Sequence, residues 1–159
     1  MKYTRLTKQQ LEELHPEFIN FLATQSITAE EWAAIKANKP EVAEEELDIF
    51  SDLVWEGVLT KVAYLENISE SQMHLFNTTD KEMRLISVKV RNPNIDLRTE
   101  EGFNWFKKNF QSDYVDYLTA SKAYTDDKSA DKFALIKQGA SITKGDLFKW
   151  FDALIDPNK

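Results

Sequence analysis

The chain has 159 residues, 27 of them acidic and 20 basic, and its net charge is −7. Hydrophobic residues make up 42% of it and aromatic residues 12%, which is enough for a hydrophobic core and far too much for a disordered chain. The absence of cysteine excludes disulfide bonds, thiol nucleophiles and thiolate metal sites.

Charge and hydropathy also restrict the partners. An acidic chain is repelled by nucleic acid and by anionic membrane surfaces, so neither is an expected partner. No segment approaches the roughly 20 apolar residues that cross a bilayer, and the N-terminal residues lack the apolar stretch of a signal peptide. We therefore expect a cytoplasmic protein.

The first part of the chain has helix signals only. Capping boxes that open at Thr7 and Thr28 each predict the start of a short helix, because the Thr side chain accepts from the third amide. Between them, Pro16 ends or restarts a helix. Pro40 suits the first turn of a longer helix, which the pattern predicts over 40–59.

The predicted helix 40–59 has an apolar and an acidic face. At 100° per residue its apolar side chains cover about half the circumference; they are Val42, Ala43, Leu47, Ile49, Phe50, Leu53, Val54 and Val58. Segment 41–60 contains seven acidic residues and no Lys or Arg, and all but Glu46 fall on the opposite arc. This pattern predicts a helix packed on two sides, with one acidic face left out.

The hydrophobic period changes after Lys61. Segments 62–68, 72–77 and 83–90 read as three short strands, and their short connections favour an antiparallel meander. A fourth strand is predicted over 114–120.

The remaining segments complete an α+β pattern. A helix begins after Thr99, 124–130 is the most polar loop, 133–137 is ambiguous between helix and strand, and Thr143 is predicted to cap a final helix. No repeat or long linker divides the chain. We predict a single α+β domain over residues 1–159: N-terminal helices followed by a small antiparallel sheet with packed helices.

Three runs of sequence carry a family resemblance over nearly the full length: LTKQQLEELHPEFINFLATQSITAEEW, KPEVAEEELDIFSDLVWEGVL and DKFALIKQGASITKGDLF. Through them the chain resembles a family of short cytosolic proteins from the Bacteroidota that is classed as a domain of unknown function. The resemblance implies one complete domain. It implies no activity, cofactor or catalytic residue.

Patterns typical of catalysis or metal binding are missing. His15 and His74 have no Gly-rich nucleophile elbow to act with, and no spacing fits a zinc or di-iron site. Segment 126–131 resembles half of a calcium loop without its glycine and closing glutamate. Segment 139–145 has its lysine on the wrong side of the glycine for phosphate binding. We predict no catalytic residue, no metal ligand and no cofactor.

The acidic helix has one energetically unfavourable feature, a row of like charges. Glu44, Asp48, Asp52 and Glu56, here called the acidic stripe, stand four residues apart on one side of the helix. Like charges at this spacing destabilise an isolated helix by about 0.2–0.5 kcal/mol per pair. A basic surface would explain the stripe, either on another molecule or within this fold, where the basic segment 81–98 is one source. The alternative is a solvated face.

Two tryptophans are candidate binding residues in addition to the acidic stripe. Trp55 lies at the edge of the acidic arc, and Trp105 lies on the helix that follows Thr99. Partly exposed tryptophan is enriched at interaction sites. The alternative is that each is covered by other parts of the same fold.

These features favour a non-catalytic protein-interaction or regulatory module that binds a basic protein surface through the acidic helix. The alternative is an enzyme whose carboxylates and tyrosines line a small-molecule pocket. Mimicry of nucleic acid is disfavoured, because the acidic excess is confined to one helix. A homodimer through the sheet edge or an aromatic patch is equally compatible with the sequence.

Overall fold

The computed structural model describes residues 1–156; the predicted domain extends to residue 159, so its last residues, 157–159, lie outside the described part. The chain forms two compact units: a helical unit, residues 1–60, and a sheet unit that begins at Lys61. Helices come first and an antiparallel sheet with packed helices follows, which confirms the predicted α+β fold class.

The helical unit is built from three short helices and one long helix: α1 (Lys8–Glu13), α2 (His15–Thr24), α3 (Ala29–Asn38) and α4 (Pro40–Lys61). Both predicted capping boxes are present: the side chains of Thr7 and Thr28 each accept the N–H of the third helical residue, and the backbone N–H of each Thr donates to the side chain of that residue. Pro40 opens α4, as predicted.

An aromatic cluster forms the core of the helical unit. Phe18 meets Trp32 and Phe50 edge to face, with ring centroids 5.2 and 5.1 Å apart. The prediction that the whole apolar arc of α4 is packed was wrong at three positions: Ile49 is 50% exposed, Leu53 is 59% exposed and Val58 is 40% exposed. Ile49 lies at the border between the apolar arc and the acidic face.

The sheet unit contains a five-stranded antiparallel sheet in the order β4-β3-β2-β1-β5. Its strands are β1 (Tyr64–Ile68), β2 (Gln72–Thr78), β3 (Glu82–Val90), β4 (Val115–Ala123) and β5 (Ser141–Thr143). The predicted meander and the fourth strand are confirmed. The sequence reading missed β5, because a three-residue strand is too short to display alternation.

Helices cover the two faces of the sheet unequally. On one face, α5 (Glu100–Asn109) and α7 (Asp146–Ile155) place Phe106 and Phe151 against the buried side chains Met73, Ile86 and Val88. The other face carries α6 (Lys128–Lys137), whose Leu135 packs on a smaller cluster around Leu65. β4 lies at the sheet edge, and only its first residue is buried.

Two helix starts differ from the sequence prediction. α6 begins inside the predicted polar loop, where the Asp127 side chain accepts the Ala130 N–H at 3.0 Å; the ambiguous segment 133–137 is therefore helical. Thr143 does not cap the last helix, because it belongs to β5 and its hydroxyl accepts the Gly145 N–H. Gly145 itself is the N-cap, at a φ of 83°.

Two glycines give a matched test of this backbone. Gly145→Ala should lower the free energy of unfolding by about 1–3 kcal/mol, since the added methyl combines a strained φ with overpacking; its Cβ would lie 2.3 Å from the Tyr64 ring. Gly57→Ala should raise that free energy by about 0.5–1 kcal/mol, because Gly57 is inside α4 and a methyl there meets nothing within 4 Å. Urea unfolding followed by circular dichroism measures both, and effects of the same sign would contradict the structure.

Candidate functional site

The acidic stripe lies along α4, as its spacing predicts, and it is not left as a bare row of carboxylates. Residues 2–6 run in the opposite direction to α4 on this side of the helical unit. Leu6 anchors the segment: its side chain is in the core, and its N–H donates to the hydroxyl of Ser51 at 3.1 Å. We call residues 2–6 the N-terminal segment.

Main-chain and basic side-chain groups of this segment bind the stripe. Asp52 accepts the N–H groups of Lys2 and Tyr3, one on each carboxylate oxygen, at 2.7 and 2.8 Å. The Arg5 guanidinium donates to Asp48 at 2.7 Å, and also contacts the Glu44 carboxylate. These bonds hold the segment against the helix, with a bend of the chain at Tyr3.

The end of the stripe is bound in a similar way. The Lys2 ammonium lies 3.3 Å from the Glu56 carboxylate, and the Tyr3 hydroxyl donates to the same group. Glu44 and Glu56 nevertheless keep 57% and 48% of their side-chain surface exposed. The stripe is therefore partly neutralised and still accessible from solvent.

The electrostatics of these contacts favour the charged pairs. Hydrogen bonds to Asp48 and Glu44 raise the pKa of Arg5, which keeps its guanidinium protonated. Desolvation is the largest cause that raises the pKa of the Tyr3 hydroxyl, and its hydrogen bond to Glu56 adds to the shift. Tyr3 therefore acts as a neutral donor to Glu56 rather than as an acid.

The sequence also offers the basic segment 81–98 as a source of cations for the stripe. Its arginines pair within the sheet unit: Arg84 with Asp152 at 2.8 Å, Arg91 with Asp116 at 3.0 Å, and Arg98 with Asp96 at 2.8 Å. Hydrogen bonds from Arg98 lower the pKa of Asp96 to about 2.

The sequence reading missed Lys2, Tyr3 and Arg5. Basic and acidic residues balance over 1–40, so the net charge gave no sign of a cationic segment. The two cations three positions apart, flanking a tyrosine, are the only local signal, and such a triplet is common in any chain. Their role depends on the contact with α4.

The two predicted tryptophans occupy different units. Trp55 is partly buried against the core of the helical unit. Trp105, also partly buried, packs on the sheet unit's main core, with its ring edge-on to Tyr114 at a centroid distance of 6.2 Å. The structure thus brings the stripe and Trp55 together on α4, whereas Trp105 belongs to the other unit.

Other kinds of site find little support in the geometry. Within residues 1–156, no group of three or more His, Asp or Glu side chains is arranged to hold a metal ion. None of the described helices is both long and apolar enough to cross a membrane.

The comparison with protein families decides the affiliation. A family described as of unknown function, DUF6495, matches residues 1–156. The chain belongs to this family. Neither a curated protein nor a solved structure matches it. Membership therefore brings a shared sequence pattern over the described chain and no named activity.

The contact between segment and stripe can be measured through Arg5. Arg5→Met keeps an aliphatic side chain and removes the cation, so the free energy of unfolding should fall by about 0.5–1 kcal/mol at low salt, the upper range for exposed ion pairs. The difference should shrink in 1 M salt, where the screening length is about 3 Å. Lys8→Met, at an exposed position, is the control. Equal losses for both variants would contradict a specific role for Arg5.

Tyr117 offers a separate test in the sheet unit. Burial raises its pKa to about 12, and its hydroxyl donates to the Phe110 carbonyl. Because the folded-state pKa is raised, the contribution of Tyr117 to stability is complete below about pH 10, the ordinary tyrosine range, and is lost as the pH rises through about 12. Tyrosinate absorbance of the wild-type chain should therefore show a late step that Tyr117→Phe removes. A titration already complete near pH 10 with circular dichroism unchanged would contradict the buried hydroxyl.

Proposed function

We propose that the chain is a non-catalytic protein-interaction module, one cytoplasmic α+β domain, that binds a basic segment of another protein on the acidic stripe. One observation carries the proposal: the stripe already holds a basic segment, the chain's own residues 2–6. The resemblance to short cytosolic proteins of the Bacteroidota makes such a cell the place to seek the partner.

The contacts define what the stripe recognises. Asp52 takes two consecutive main-chain N–H groups, which point the same way because the chain bends at Tyr3. Asp48 and Glu56 take cations that are three residues apart in the segment, Arg5 and Lys2. A partner segment with two cations at this spacing presents the same donors.

A partner has to displace the tethered segment. A short tether gives the chain's own segment an effective concentration in the millimolar range, so a partner with only equal contacts is at a disadvantage. Additional contact is available at Ile49 and Leu53, which are exposed on α4 beside the acids. Leu53 stands three residues before Glu56, and Ile49 four after Glu45, spacings that make surface neighbours on a helix.

The apolar pair makes displacement energetically feasible. Full burial of one such side chain contributes about 1.5–3 kcal/mol, which corresponds to roughly a tenfold or greater gain in affinity. We therefore propose that the partner segment combines two cations with at least one apolar residue.

The alternative of an enzyme has weaker support. A groove of about 310 Å³ lies in the sheet unit between α6 and strands β3 and β4. Its lining is largely apolar and includes the ionisable residues Arg84, Lys122 and Asp131. Glu66, Tyr117 and Lys132, whose pKa values are shifted mainly by burial, are not among the residues that line it. This separation favours binding over acid–base chemistry.

Selection from a displayed peptide library tests the proposal directly. Selection on the wild-type chain should enrich peptides with two basic residues three apart and an apolar residue beside them. Reversal of Glu44, Asp48 and Asp52 to Lys should abolish their binding. The matched control reverses the exposed Glu12, Glu13 and Glu17 to Lys, which changes the net charge equally and should leave binding intact.

Calorimetry with one selected peptide then separates the two parts of the site. Substitution of Lys2, Tyr3 and Arg5 by Ala should strengthen peptide binding about tenfold, because the competing segment is lost. Ile49→Ser with Leu53→Ser should weaken it, whereas Ile19→Ser, an exposed apolar control in α2, should not. Binding that survives reversal of the stripe, or that the loss of the N-terminal segment weakens, would overturn the proposal.

A further inference from the structure

Strand β4 of the sheet unit forms a second exposed surface. Its proposed role is independent of the proposed function of α4. β4 is the longer of the two edge strands of the sheet, runs for nine residues, and is exposed at every position after Val115. An exposed edge of this length presents a row of main-chain N–H and C=O groups that can pair with another strand. No proline interrupts the strand.

The hydrogen-bond pattern shows which groups of β4 point outward. The Val90 N–H donates to the carbonyl of Ser71, the residue before β2, and the Arg91 N–H donates to the carbonyl of Tyr114, the residue before β4. Bonding alternates along an antiparallel strand, so odd-numbered residues of β3 bond to β4. Their partners in the observed register are the even-numbered residues of β4, such as Leu118 opposite Ser87. The main-chain groups of Tyr117, Thr119 and Ser121 therefore point away from the sheet.

A second copy of β4 can pair with this edge about a two-fold axis. With the axis at Thr119, the residue opposite position i is position 238 − i of the other copy, since the sum of paired numbers is constant. Thr119 then exchanges hydrogen bonds with itself, and Tyr117 exchanges them with Ser121. All the outward-pointing groups named above are satisfied.

The same register pairs opposite charges. Asp116 stands three residues before Thr119 and Lys122 three residues after it, so each Asp116 faces the Lys122 of the other copy. Directly opposite side chains lie about 4.5–5.5 Å apart at their Cβ atoms. Asp116 uses one oxygen for Arg91, which leaves the other for the lysine. Moving the register by two residues in either direction places neither charge opposite the other.

Charged side chains on an edge strand ordinarily discourage pairing. Here their signs are opposite and their distances from Thr119 are equal, so in this one register they favour a second copy of this chain over an unrelated strand. The positions of these two charges therefore favour a second copy of the chain as the pairing strand.

Apolar side chains flank the edge on both faces of the sheet. Leu118, on the α6 face, is 62% exposed and would face Ala120 of the other copy, with the second Leu118 diagonal to it. On the other face, Tyr117 lines a shallow depression with the exposed Leu154 and Ile155 of α7. Pairing of two copies would cover these surfaces as well as the strand backbone.

We propose that β4 is the interface of an isologous homodimer, in which two copies of the chain pair antiparallel about Thr119 and join their sheets into one. The dimer leaves the acidic stripe of each copy in its own helical unit, so that failure of either proposal does not affect the other.

Sedimentation equilibrium of the full chain tests the interface. The wild-type chain should associate to a dimer, and Thr119→Pro should weaken association at least tenfold, because the central pair of hydrogen bonds is lost. The lost N–H points away from β3, so the sheet itself should remain intact. Thr119→Val keeps the N–H and is the control. A monomeric wild-type chain, or association unaffected by the proline, overturns the proposal.

Charge reversal tests the register without altering the backbone. Asp116→Lys and Lys122→Asp each place like charges opposite one another in a homodimer, and each alone should associate about tenfold more weakly than wild type. An equimolar mixture of the two variants restores both opposite pairs, so it should form a heterodimer of wild-type affinity. A mixture no stronger than its components overturns the Thr119 register.

Amide hydrogen exchange then locates the pairing. The N–H groups of Leu118 and Ala120 bond within the sheet and should be protected at every concentration. Those of Tyr117, Thr119 and Ser121 should become protected only as the chain concentration rises through the dissociation constant. Protection of these three amides that is independent of concentration, or absent at concentrations where the chain is dimeric, would place the interface elsewhere.

Discussion

The alternation of side chains in the central strands is the constraint on which the sheet unit depends. Met73 of β2 and Val88 of β3 are directly paired, and neither is exposed. The side chains on the same face of the sheet as Met73 and Val88 are apolar and must be covered. Phe106 of α5 and Phe151 of α7 pack on them. Since these helices occupy one face, the opposite face is left to the single helix α6 and remains partly open.

That unequal cover explains why β4 differs from the other strands. It pairs with β3 on one side, and α6 packs near the β1 end of the sheet, around Leu65. Leu118 and Ala120 have the parity of the α6 face, but this helix leaves Leu118 uncovered. The outward main-chain groups of such an edge strand must be hydrogen-bonded either by solvent or by a second strand.

In the helical unit a different constraint produces the acidic stripe. The 3.6-residue period puts Phe50 in the core and Asp48 and Asp52 on the opposite side of α4, where the four-residue spacing makes their like charges repel. The N-terminal segment relieves that repulsion with main-chain N–H groups and two cations. Contact between the acidic stripe and the chain's own basic segment is therefore part of how this unit folds, and the proposed partner would take the place of that segment.

The sequence by itself determined the α+β class, the capping boxes at Thr7 and Thr28, the meander and the position of the acidic stripe, because each follows from local periodicity or cap chemistry. Only the tertiary structure decided the remaining features. The ion pair between Arg5 and Asp48 joins residues 43 positions apart. Ser141–Thr143 form β5 only because they pair with β1. Thr143 lost its predicted role as a cap to that pairing. Which residues of α4 and β4 stay exposed likewise depends on what packs beside them, and local pattern carries no information about contacts made across the fold.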